Sequence, residues 1–80
     1  MGTSIIDRIV TNPKILGGKP IIRGTRLSVE FILELLASGM TKSEILEDYP
    51  HITEKDIHAV LEYAAHALKS EAYVPLEKVS

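Results

Sequence analysis

The sequence predicts a mainly α chain: a three-helix bundle of helix-turn-helix dimensions, preceded by a small N-terminal β-hairpin. Three observations carry this expectation. Residues from Ile5 to Leu27 mix β-branched side chains with Asn12-Pro13, Gly17-Gly18, Pro20 and Gly24, which is strand-and-turn punctuation. From Ser28 onward, apolar residues recur at helical spacing in three successive segments. Each of those segments opens on a hydroxyl residue suited to capping a helix: Ser28, Thr41 and Thr53. The chain accordingly divides into a hairpin arm over residues 1–27, a bundle over 28–70 and an extended tail over 71–80, one domain in all.

In the arm, Arg8 to Thr11 and Ile21 to Arg23 are the expected strands, joined by an irregular glycine-containing loop. Two short strands are marginal alone, so the hairpin must pack on the bundle. The first helix runs from its cap Ser28 to about Ser38, with Gly39 as the left-handed stop. Its apolar residues form two faces. Val29, Ile32, Leu33 and Leu36 make one, while Phe31 and Leu35 point to the other. The second helix begins with the capping box Thr41 to Glu44 and ends before Pro50. Tyr49 to Ile52 form a turn fixed by Pro50, and a third helix runs from Thr53 to about Ser70. On it Ile57, Val60, Leu61, Ala64 and Leu68 are the expected core stripe, opposite His58, Glu62, His66 and Lys69. Pro75 bars a simple helical continuation into the tail, so an extended segment is expected there.

Composition narrows the class of function. With 80 residues and no cysteine, the chain has neither disulfides nor thiolate metal sites, and so small a fold needs an efficient core or a partner chain. The two apolar faces of the first helix favour the partner, and a homodimer is expected. Phe31 and Leu35, with Ala59, Tyr63 and Ala67 on the third helix, are the candidate interface. No apolar run approaches a membrane span, and the N-terminus lacks the pattern of a secretion signal, so the cytosol is the expected compartment and no membrane partner is expected. Ile6 stands where a myristoylation signal needs Ser or Thr.

Charge is polarised. Through Leu27 the chain carries Arg8, Lys14, Lys19, Arg23 and Arg26 against Asp7 alone, whereas the remainder is strongly acidic. If duplex DNA is bound, the arm must supply much of the phosphate contact, because Glu54 and Asp56 open the reading helix. Lys19, Arg23, Thr25 and Arg26, assisted by Lys55 and His58, are the candidate nucleic-acid contacts. Gly17-Gly18-Lys19 lacks the spacing of a phosphate-binding loop, and Pro20 stands in place of its hydroxyl residue. His58 and His66 lie two helical turns apart, roughly 12 Å, too far to share one metal. No nucleophile turn or paired-carboxylate motif is present, and a bundle this small offers little room for a substrate. The expectation is therefore a non-enzymatic binding protein with no cofactor, no metal and no small-molecule substrate.

One stretch is distinctive: Gly17-Gly18-Lys19-Pro20-Ile21-Ile22-Arg23-Gly24-Thr25-Arg26, continued by Val29, Leu33 to Leu36, Gly39, Glu44-Ile45-Leu46, Tyr49-Pro50, Thr53, Asp56-Ile57 and Ala64-Ala65. From Ile9 to Ala67 the chain resembles the family called domain of unknown function 433. The resemblance implies a homeodomain-like three-helix fold. It also implies a VapB-like antitoxin of a toxin–antitoxin pair, whose partner is a PIN-like ribonuclease and which represses its own operon by binding operator DNA. Such antitoxins join a DNA-binding part to a segment that blocks the toxin's acidic site. Here that segment falls on the tail, where Tyr73, Val74, Pro75 and Leu76 are the candidate toxin contacts and Lys78 is the sole cation. An added strand or apolar anchors would serve such docking without a charge match. The alternatives are a stand-alone helix-turn-helix regulator and a protein–protein interaction module that never touches DNA.

Overall fold

Strand pairing in the arm is brief because turns crowd it on both sides. The computed structural model describes residues 5–70, and side chains from 7 to 69. The expected tail contacts Tyr73, Val74, Pro75 and Leu76 lie outside the described residues. Strand β1 (Ile9–Val10) pairs antiparallel with β2 (Ile21–Ile22), Ile9 opposite Ile22 and Val10 opposite Ile21. Both strands are shorter than the expected Arg8–Thr11 and Ile21–Arg23. Arg8 instead closes a one-turn helix, α1 (Ile5–Arg8), which the strand reading did not contain. At the other end Asn12 curls the chain away, its backbone carbonyl accepting from Ile15 N at 2.8 Å and its side-chain oxygen from Lys14 N at 2.9 Å.

The second edge of β2 is also covered. Ile22 N donates to Leu27 O and Val29 N to Pro20 O, both at 2.9 Å, so the segment entering the first long helix folds back along the strand. This return buries Ser28 as it caps that helix, and it leaves residues 23–26 as a projecting knuckle.

Helix α2 (Val29–Ala37) starts where Ser28 Oγ accepts Phe31 N at 2.9 Å. It stops in a Schellman motif, with Met40 N bonded to Leu35 O and Gly39 N to Leu36 O. Gly39 takes φ +103°, a conformation costly to residues with a Cβ. Helix α3 (Lys42–Asp48) carries the expected capping box, Thr41 and Glu44 each bonding the other's backbone N–H. Helix α4 (Glu54–Ser70) opens on a similar reciprocal cap, in which Thr53 N donates to Asp56 Oδ2 at 2.9 Å and Asp56 N to Thr53 Oγ1 at 3.3 Å. The chain is thus a mainly helical three-helix bundle with a two-stranded antiparallel hairpin at its N-terminal side.

The core is almost wholly β-branched. Ile9, Ile22, Val29, Ile32, Ile45, Ile52, Ile57 and Val60 converge from both strands, the three bundle helices and the turn before α4, with Ala59 beside them. Such side chains have few rotamers to lose, and each fully buried one contributes about 1.5–3 kcal/mol.

The face that α4 buries differs from the expected stripe. Ile57 and Val60 are fully enclosed, but Leu61 and Leu68 are 44% and 58% exposed. Asp56 and Ala59 are buried, with Tyr63, Ala64 and Ala67 half-buried above them. The helix is therefore rotated by roughly a fifth of a turn from the orientation its most apolar residues favour. An ion pair explains this. Arg8 Nη1 holds Asp56 Oδ1 at 2.9 Å, drawing a carboxylate to the bundle where a purely hydrophobic rule places leucine. Ala59, expected at a subunit interface, is corrected to a core residue at 2% exposure, too enclosed to meet a second chain. Among the described residues no helix is long and apolar enough to cross a membrane.

Candidate nucleic-acid interface

The knuckle over residues 23–26 is a rigid presenter of arginines. Thr25 N donates to Ile22 O at 3.0 Å and Gly24 takes φ +80°, the geometry of a type II turn, in which the third residue must be left-handed. The Thr25 hydroxyl donates to Ile22 O at 2.8 Å and accepts Leu27 N at 2.9 Å. Both roles are used inside the turn, so Thr25 shapes the knuckle. Arg23 Nε donates to the carbonyl of Asp7, which steadies that guanidinium against the end of α1. Arg26 is exposed and makes no ion pair or side-chain hydrogen bond with any described residue.

Together the knuckle, the Thr11–Ile15 loop and the turn between α3 and α4 enclose an open concavity of about 640 Å³. Arg23, Gly24, Thr25 and Arg26 form one wall, Val10, Ile15 and Ile21 the floor, and Thr11, Asn12 and His51 the remaining rim. Among the described residues no carboxylate lines it. Asn12 has its side-chain oxygen committed to Lys14 N, which leaves its amide nitrogen to donate outward.

Of the expected nucleic-acid contacts, Arg23, Thr25 and Arg26 are gathered in this way and the other three are not. Lys19 lies outside the concavity, in a neighbouring recess that it shares with Arg26, and is bound to Glu30 Oε1 at 2.9 Å. The Glu30 carboxylate, by hydrogen bond and charge, raises the Lys19 ammonium above its ordinary value, and Lys19 in turn lowers Glu30. The pair holds across neutral pH and opens on the acid side, as Glu30 takes up a proton below the usual carboxylate range. Lys55 and His58 sit exposed on the first turns of α4, outside the concavity, and His58 Nε2 lies 3.6 Å from Glu62.

His51 went unread as a contact because Tyr49-Pro50-His51 reads as a structural turn. Tyr49 does act so, its ring meeting Phe31 edge-on at 5.8 Å between centroids. The available signal was position, since a residue between a helix-ending proline and a helix-capping threonine must stand on the turn itself. The acidic start of α4 is also different in place from its look in sequence. Asp56 is matched by Arg8 and Glu54 by Lys42 at 3.0 Å, so neither carboxylate faces a phosphate uncompensated.

The remaining interface candidates divide between two neighbouring surfaces. Tyr63 and Ala67 line an apolar groove of about 430 Å³ between α2 and α4, with Pro20, Leu33, Ala64 and Leu68. Phe31 borders an adjoining recess with Leu16, Leu27, Lys19 and Arg26, and Leu35 is half-buried against the core. Phe31 and Leu35 are thus partly, not wholly, answered within the chain.

The pattern describing the protein family of unknown function DUF433 matches residues 9–64. An uncharacterized protein of Sinorhizobium fredii, y4eO, is 34% identical over 56 residues, which is 70% of this chain and 25% of that protein. The crystal structure of a DUF433 member protein from Anabaena variabilis superposes with a TM-score of 0.73 at 29% identity, covering 78% of this chain and 61% of that one. The chain therefore spans a quarter of the first relative's length and less than two thirds of the second's.

Proposed function

This chain belongs to the DUF433 family, and from that footing we propose that it is the DNA-binding antitoxin of a toxin–antitoxin pair, acting without catalysis as a homodimer in the cytoplasm. The carrying observation is the placement of the arginine knuckle. It stands beside the turn of a helix–turn–helix formed by α3 and α4, on an open concavity that no carboxylate lines among the described residues. A helix–turn–helix sets its second helix along a groove while neighbouring elements hold the backbone, and here the arm adds arginines to the single lysine, Lys55, at the start of α4. The apolar groove at Leu33, Tyr63, Ala67 and Leu68 shares no residue with that concavity, which supports a reading in which a partner or second copy seated in the groove leaves Arg23 and Arg26 clear.

The nuclease-blocking role falls to Tyr73, Val74, Pro75 and Leu76, and its support is the family resemblance. Co-expression with a nuclease encoded in the adjacent reading frame tests it. The full chain should co-purify with the nuclease and silence it, whereas a chain lacking residues 71–80 should stay folded and dimeric by light scattering yet lose the nuclease. Unchanged inhibition by the shortened chain would reject the tail's role, and a monomer at micromolar concentration would reject the dimer.

A further inference from the structure

We propose that the concavity between the knuckle and the α3–α4 turn is a binding site for a phosphodiester group of a nucleic-acid backbone, with Arg26 as its principal cation and Arg23 and His51 at its rim. The inference rests on the DNA-binding reading and assigns it to particular atoms. It starts from which cations are already spent: Arg8 on Asp56, Lys42 on Glu54 and Lys19 on Glu30, each within 3.0 Å. Arg26 has no such partner among the described residues, and it lines a cavity whose described lining contains two arginines, a histidine and no acid.

The geometry suits a phosphate on a polymer better than a free anion. An arginine fork gives two parallel N–H donors to phosphate oxygens, and the type II turn with its Thr25 hydrogen bonds fixes the backbone from which both arginines project, while the bond to the Asp7 carbonyl already orders Arg23. The volume, about 640 Å³, far exceeds one phosphate, and the mouth is open. A sugar-phosphate strand fills such a trough, its charge against Arg26 and its sugar against the Val10 and Ile21 floor. Neighbouring Thr11 and Asn12 supply neutral donors for further phosphate oxygens. DNA held this way is gripped through its backbone at the arm, and α4 adds little cationic attraction of its own.

The test is a titration of the full isotopically labelled chain, first with inorganic phosphate and then with a short DNA duplex. Phosphate should shift the amides of Gly24, Thr25, Arg26 and His51, and the duplex should move the same group along with residues of α4. Arg26→Ala should lower the slope of log affinity against log salt by about 1, while Arg26→Lys restores the slope without restoring full affinity. Lys69→Ala, at the far end of α4, should leave the slope unchanged. Arg26 is exposed, and a well-dispersed spectrum certifies that each variant is folded. Shifts from phosphate confined to other residues, or duplex binding with an unaltered slope in Arg26→Ala, overturn the site and leave DNA binding standing. Failure of the wild-type chain to bind duplex even at low salt overturns both.

Discussion

Asp56 does more than any other polar residue to define this fold. Its carboxylate accepts from Thr53 N and Thr53 Oγ1 and pairs with Arg8, so one side chain caps α4, sets its rotation and ties it to α1. In sequence it reads as an acid favourably placed near a helix dipole, which is true and incomplete. Nothing local announces a partner 48 positions away. Replacing Asp56 with Ala should cost about 3 kcal/mol in denaturant unfolding, because Arg8 is then left partly buried without its counter-charge. A loss no larger than a simple cap removal would mean that the pair is incidental. Arg26 is the opposite case. Its exposure was readable from the glycine turn that precedes it, but its availability depended on knowing where every acid had gone.

Helix boundaries were readable because caps are local chemistry. Ser28, Gly39, Thr41 with Glu44, and Thr53 all occupy the positions that side-chain oxygens and left-handed backbone demand. The shortest of the bundle's helices leans hardest on its cap. Thr41→Ala should cost about 1–2 kcal/mol, detectable as a lowered midpoint of thermal unfolding, since α3 has only 7 residues over which to recover the loss. An unchanged midpoint would show that packing of Ile45 alone holds the helix. The strands were less readable. Their positions follow from β-branched residues between turn residues, but the length of a ladder depends on how quickly Asn12 and Arg23 turn the chain away. The face of α4 was misjudged by periodicity because Leu61 and Leu68 outweigh alanines in any apolar pattern, whereas the packed surface accepts Ala59 and Asp56 close to the neighbouring helices.

For the molecule as a whole, the division of charge by segment becomes a division by surface. The acids at the start of α4 are neutralised in place by Lys42 and Arg8, and Arg23 and Arg26 stand together on the arm side of the helix–turn–helix. A net charge of −2 therefore conceals a local basic patch. The proposed role as a DNA-binding antitoxin depends on that patch meeting the phosphate backbone. The most direct measurement is the affinity of the wild-type chain for the duplex upstream of its own coding sequence, followed by fluorescence anisotropy from about 50 to 200 mM salt. If Arg23 and Arg26 each neutralise one phosphate, log affinity should fall linearly with log salt at a slope of about −2 per chain. Association that ignores salt across this range, or none at its lower end, would contradict the account.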